Sequence, residues 1–189
     1  ASKQLDTFIT SVSFSAPESP LKHLDLTDAP WSLFDEATIK VPEIARKHED
    51  TPKDFNFGIN DLTGPDCVSQ MSTDVEPIKI GKPVNFDAIR PKYSAGMEKS
   101  FHLPAGQKLA WKTSKDVKGL SYTDPVTSNV KQPGGTISAV TLRLAILELS
   151  PGNFVQFVFV IGQTPADKIG DYVSTQDQML SSIKINAGK

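Results

Sequence analysis

The chain has 189 residues, 38% of them hydrophobic, and a formal net charge of −2, which is enough apolar material to build one core without metals or disulfides. Its single cysteine, Cys67, excludes an intrachain disulfide. The longest apolar stretches are interrupted by Arg143 or Gln156, so no run is long enough to span a bilayer as a helix.

In chain order, Phe8, Val12 and Phe14 alternate with polar residues and predict a half-buried strand that ends at Pro17. A proline-rich loop follows. Asp28 before Ala29-Pro30 predicts a helix start, with Trp31, Phe34 and Ala37 on its buried side, and Pro42 predicts a second short helix through Arg46. Phe55, Phe57 and Ile59 form a brief alternating run, and Leu62-Thr63-Gly64-Pro65-Asp66 reads as a loop. Ile78 and Ile80, then Val84 and Phe86, predict a strand interrupted at Gly81-Lys82-Pro83, on a sheet edge where proline is tolerated. From Gln107 to Lys118 the alternation of Leu109 and Trp111 favours a strand over a helix carrying Lys108, Lys112 and Lys115 on one face.

The last fifty residues are the most legible. Ser138 to Leu149 and Phe154 to Ile161 read as two apolar strands joined by Ser150-Pro151-Gly152-Asn153, with Pro-Gly as the turn centre. Carried back regularly from that turn, the register sets Ile146 opposite Phe157, Leu144 opposite Phe159 and Leu142 opposite Ile161, an apolar side. Arg143, Ala145 and Leu147 then share the other side with Val160, Val158 and Gln156. Ile169, Val173, Gln176, Leu180 and Ile183 recur at helical spacing with Met179 beside them, and this helix is expected across the apolar side. Ser181 to Ile185 closes as a short strand.

The near-neutral charge is segregated. Residues 1–77 carry six Lys/Arg against fourteen Asp/Glu, and residues 78–135 carry ten against four. A single domain, 1–189, is expected, with 1–77 as its acidic N-terminal portion and 78–189 as its sheet and helix core. Lys108, Lys112 and Lys115, beside the flat apolar rings of Trp111 and Tyr122, are the candidate partner contacts, because aromatics next to cations commonly anchor interfaces. Packing of Trp111 and Tyr122 in the core is the competing expectation. Nucleic acid is disfavoured, since no RRM-type aromatic motif or arginine cluster accompanies the lysines.

Motifs for chemistry are missing. Neither G-x-x-x-x-G-K-[ST] nor G-x-G-x-x-G occurs. His23, His48 and His102 are too dispersed for a zinc motif, and the acidic segments do not match the calcium loop. Cys67 with His48 or His102 is the only nucleophile and base combination worth naming. No catalytic residue, cofactor or metal site is assigned.

The closing hairpin, helix and short strand Ser181-Ser182-Ile183-Lys184-Ile185 resemble the ending of Mog1/PsbP-like proteins. Phe101-His102-Leu103-Pro104-Ala105-Gly106, Tyr122-Thr123-Asp124-Pro125 and Ser128-Asn129-Val130 are similar in kind to segments of that family. Gln107 stands where the family usually has tryptophan after the Pro-x-Gly step. The resemblance spans the last ninety or so residues and implies an α+β fold, a mainly antiparallel sheet between helices in an α/β/α sandwich. It also implies a noncatalytic accessory or binding role, often in exported bacterial or photosynthetic lumenal proteins, and transfers no functional residue. The expectation is therefore an exported, periplasmic or extracellular protein acting through protein–protein contacts. Ala1 at the start fits removal of a signal peptide as well as a shortened chain. A small hydrolase whose site is assembled only by folding, and a carrier of a small apolar ligand, are the alternatives.

Overall fold

Two sheets and two helices make up the described part of the computed structural model, which covers residues 24–47, 57–61, 69–131, 137–162 and 169–186. β1 (Trp31–Leu33), β2 (Ala37–Ile39) and β11 (Lys184–Ile185) form a small antiparallel sheet in the order β1-β2-β11. The large sheet contains β3 (Arg46–Lys47), β4 (Phe57–Asp61), β5 (Ser69–Lys79), β6 (Trp111–Thr113), β7 (Leu120–Thr123), β8 (Val126–Lys131), β9 (Ile137–Ser150) and β10 (Asn153–Gly162). Its order is β3-β4-β5-β10-β9-β7-β6, with β8 also paired to β9. All of its pairings are antiparallel.

The hairpin β9–β10 corrects the regular register. Asn153 lies opposite Ser150, but the register then shifts, so that Phe154 faces Glu148, Phe157 faces Ala145 and Phe159 faces Arg143. Leu149 is the extra residue of a β-bulge, which turns every β9 side chain before it to the other side. Leu142, Leu144 and Ile146 therefore oppose Val160, Val158 and Gln156. The physical reason is that both faces of the sheet are buried, so an apolar pattern on one face does not dictate the pairing.

Helix α1 (Phe86–Ser100) covers one face and helix α2 (Ile169–Ser181) the other. Under α1 lie Leu142, Leu144, Val158 and, packed against its own Phe86 in an adjoining cluster, Ile146 and Phe154. Under α2 lie Phe157, Phe159, Ile161, Met71, Val75 and Leu147, joined by Leu33, Ala37 and Ile39 of the small sheet. The helix presents Tyr172, Thr175, Gln176, Met179 and Leu180 to that core. Helix α2 thus sits over the phenylalanines, whereas the three β9 residues expected beside them belong to the opposite face. The architecture is the α+β arrangement of a largely antiparallel sheet between helices.

Other local expectations are corrected. The predicted helix at Asp28 to Ala37 is the hairpin β1–β2: Leu33 and Ala37 pair, and Phe34 and Asp35 turn the chain with φ of 53° and 62°. Trp31, Phe34 and Ala37 recur at helical spacing, yet Trp31, Leu33, Ala37 and Ile39 are alternate positions of two short strands and Phe34 lies in the turn between them. Pro42 begins no helix either; it bridges Leu26, its carbonyl accepts from the Ala45 amide at 2.9 Å, and β3 follows. Phe86 opens α1 instead of extending a strand. Asn85 caps that helix, its side chain accepting from the Ala88 amide at 3.1 Å, while the Glu148 carboxylate accepts from the Phe86 amide at 3.0 Å. Pro91 inside α1 hides it in the sequence. Pro77 lies in β5 beyond the described part of β4, whose pairing reaches Thr73, so among the described residues no strand on that side needs its missing N–H.

The expected strand at Phe57 and Ile59 is β4; that from Gln107 to Lys118 is confined to Trp111–Thr113, β6, with a turn after it, and that from Ser181 to Ile185 to Lys184–Ile185, β11, because Ser181 still belongs to α2. The strand Phe8 to Phe14 and the loop at Leu62 to Asp66 lie outside the described residues. At the hairpin turn, Gly152 has φ +86°, and a Cβ there would come within 2.2 Å of the Lys82 carbonyl oxygen. Only glycine fits this close crossing.

Candidate functional site

Strands β6 and β7 are joined by a turn in which the Ser114 hydroxyl accepts from the amides of Asp116 at 3.2 Å and Val117 at 3.1 Å. The register sets Trp111 opposite Thr123 and Lys112 opposite Tyr122. Alternation along a strand sends neighbouring side chains to opposite faces. Lys112 and Tyr122 consequently project on the α2 side, and Trp111 projects on the α1 side.

On the α2 side a cleft of about 450 Å³ runs between the β6–β7 hairpin and the end of α2. Lys112, Lys115 and Tyr122 line it together with Ser114, Asp177 and Leu180. Beneath Tyr122 lies Arg143, only 4% exposed, with its guanidinium carbon 5.0 Å from the ring centroid. Its Nε donates to the Thr123 carbonyl at 3.1 Å, and a terminal nitrogen donates to Asp177 Oδ1 at 2.6 Å. Arg143 therefore ties the sheet to α2 and holds Tyr122 and Asp177 in fixed positions on the cleft wall. Lys112 pairs with Asp124 at the rim. Lys115 makes no ion pair with any described residue.

The structure divides the five candidate positions. Lys112, Lys115 and Tyr122 converge. Trp111 packs on the α1 face, its ring 4.9 Å from that of Phe86 and 5.9 Å from that of Tyr93, and its Nε1 donates to the Ser94 hydroxyl at 2.8 Å. The Tyr93 hydroxyl donates to Gln156 at 2.6 Å; burial, with Glu76 adding to it, raises its pKa.

Lys108 also belongs to the α1 side, where its Nζ lies 2.8 Å from Glu98 Oε2 and the other Glu98 oxygen accepts from the Leu109 amide at 3.0 Å. The bond from Lys108, then that from Leu109, holds the Glu98 carboxyl below the usual carboxylate range. A carboxylate depressed by folding contributes stability that is fully present above its unfolded pKa of about 4.3 and is lost as the pH falls through the lower folded value. Glu98→Gln is therefore expected to flatten the loss of stability on acidification below about pH 4.3, read from denaturation midpoints across that range. An unchanged acid limb would contradict the role given to this pair.

Arg143 and Asp177 are the site residues that sequence reasoning did not single out. A signal existed: Arg143 is a cation between Leu142 and Leu144, and a cation in a buried strand requires partners. Asp177, on a helix face otherwise read for apolar spacing, carried no comparable signal. Cys67 and His48 lie outside the described residues, and His102 is exposed in the loop after α1 with φ 50°. Among the described residues, no three His, Cys, Asp or Glu side chains converge as metal ligands, and no helix is long and apolar enough to cross a membrane.

No protein-family model matches the sequence, and no curated protein matches it. Solved structures share its fold. The Ran-binding protein Mog1p of Saccharomyces cerevisiae aligns with a TM-score of 0.52 at 11% identity, over 85% of this chain and 96% of that one. LpqN of Mycobacterium tuberculosis, described as involved in cell envelope biogenesis, aligns with a TM-score of 0.50 at 14% identity, over 85% and 91%. The chain thus has the fold of Mog1/PsbP-like proteins.

Proposed function

We propose that this chain is a noncatalytic binding or accessory protein, exported from the cell, that seats a protein partner in the cleft between the β6–β7 hairpin and α2. The observation that carries the reading is the convergence of Lys112, Lys115 and Tyr122 on one cleft whose wall is held by buried Arg143. Such a site offers what recognition uses, an aromatic face, cations and a carboxylate in fixed positions. Asp177 is engaged by Arg143 and Ser114 by the turn amides, so these groups shape the wall. Lys115, exposed and without an ion pair among the described residues, is the cation best placed to meet an acidic group.

The structural neighbours support the reading by analogy. Mog1p binds a protein, Ran, on this fold, and the involvement of LpqN in cell envelope biogenesis supports the choice of export over a cytoplasmic role. In the native host, a tagged chain carrying Lys112→Glu with Lys115→Glu is expected to recover its co-purifying partner at least about tenfold less well. Lys92→Glu, exposed on α1 on the far side of the sheet, is expected to leave recovery unchanged. Equal recovery with both variants would overturn the assignment of the cleft.

A further inference from the structure

We infer that the outer edge of β6 is a docking strand for an extended, acidic segment of the protein partner, which pairs with it by backbone hydrogen bonds. The inference rests on the cleft reading above and specifies the partner's chemistry and mode of attachment.

Strand β6 ends the large sheet among the described residues. The Ser114 amide donates to the Leu120 carbonyl at 2.8 Å and the Asp124 amide to the Ala110 carbonyl at 3.2 Å, while Lys112 lies opposite Tyr122. In an antiparallel ladder the paired groups come from every second residue. Ala110, Lys112 and Ser114 therefore turn their backbone groups toward β7, and Trp111 and Thr113 turn their N–H and C=O groups outward. These are donors and acceptors for a strand added to the edge.

Charge selects the occupant. A strand added beside β6 places alternate side chains on the cleft face, next to Lys112 and within reach of Lys115, which line that cleft. Acidic residues at those alternate positions meet Lys115 and compete with Asp124 for the exposed Lys112. A second copy of this chain is the poorer occupant, because β6 paired with β6 about its centre sets Lys112 beside Lys112, and like charges directly opposite destabilise a strand pair. The lysines that discourage self-pairing thus favour an acidic strand.

The probe is a short peptide alternating Glu and Thr, titrated into the isotopically labelled full chain and followed by amide chemical shifts and hydrogen exchange. Three controls accompany it: a Lys and Thr version, a copy N-methylated at alternate amides, and the variant Thr113→Pro. That variant removes an N–H that points outward, a position where an edge strand tolerates proline. The Glu peptide is expected to bind saturably and to protect the Trp111 and Thr113 amides, while the Lys112 amide, already bonded to Tyr122, changes little.

The Lys peptide and the N-methylated copy are expected not to bind, and Thr113→Pro, with its amide spectrum otherwise retained, to weaken binding about tenfold. Failure of the Glu peptide to bind, binding without protection of Trp111 and Thr113, or equal binding of the N-methylated copy would each overturn the inference. The peptide controls decide the question even where Thr113→Pro fails to fold. Failure here, with the Lys112 and Lys115 reversals still releasing the native partner, removes edge pairing alone; if those reversals also have no effect, the cleft reading itself falls.

Discussion

Arg143→Ala is expected to lower the stability of the chain by about 3 kcal/mol, from a buried carbonyl left without its donor and a cavity under Tyr122. Three losses coincide. The guanidinium leaves the Thr123 carbonyl, to which its Nε donates, without that donor. The link from sheet to α2 through Asp177 is cut. A void opens under Tyr122, whose ring the cation supports. Asp177 itself is 57% exposed and is rehydrated, so no anion is stranded.

Arg143→Met restores most of the volume but no donor, and is expected to recover part of the loss. Urea denaturation of the three proteins checks this. A cost for Arg143→Ala below about 1 kcal/mol, the scale of an exposed pair, would mean that Arg143 does not hold α2 to the sheet.

Phe157→Ala is expected to cost about 3–5 kcal/mol, as for a large aromatic truncated in a packed core. Phe157 is fully buried on the central strand β10, between Val75 of β5 and Ala145 of β9. Its ring lies 6.1 Å from that of Phe159, nearly parallel. Little can collapse into the space it leaves, because flanking strands fix both sides. Ile185→Ala, at an exposed position on the short strand β11, is the comparator and is expected to change stability by less than about 0.5 kcal/mol. Similar costs for the two would place the core somewhere other than between the large sheet and α2.

How much of this was legible from sequence varies with the competing forces. The hairpin, α2 and the closing strand were readable, because apolar runs of strand length, a Pro-Gly turn and a helical spacing are local signals. Register was not. A regular ladder gathers Leu142, Leu144 and Ile146 with Phe157, Phe159 and Ile161, and that is sound reasoning for a sheet with one buried face. Here α1 covers the second face, so apolar side chains are needed on both, and the bulge at Leu149 is set by tertiary demands. Arg143 illustrates them: the bulge brings it to the α2 face, where Asp177 and the Tyr122 ring are found.

Helix α1 was hidden for a connected reason. Pro91 and Gly96 weaken its propensity, and its stability comes from burial of Phe86 and from capping by Asn85 and by Glu148, a residue 62 positions away. The β1–β2 hairpin looks helical in sequence because Trp31, Phe34 and Ala37 fit that spacing, while a turn with Phe34 at positive φ is not something phenylalanine announces.

The candidate site was half legible. Charge segregation and aromatic spacing pointed to the β6–β7 hairpin, and β-strand alternation separates the five residues. Lys112 and Tyr122 are opposite one another and share a face, whereas Trp111, one residue from Lys112, is directed to the other side. Lys108 is occupied by Glu98, eleven residues before Leu109, whose amide the same carboxylate also binds. Spacing in sequence cannot report such pairings, since they depend on where α1 lies. What remained after folding is a smaller and better-defined surface.

The most direct test replaces Lys115 with a photo-crosslinking amino acid in the native host, with Lys92 as the matched exposed position on α1. Under proposed binding at the cleft, Lys115 yields a discrete crosslink to one partner protein, Lys92 yields none, and adding Lys112→Glu diminishes the product. A crosslink of equal yield from Lys92, or a product from Lys115 that is indifferent to Lys112→Glu, would contradict the cleft between β6, β7 and α2 as the binding surface.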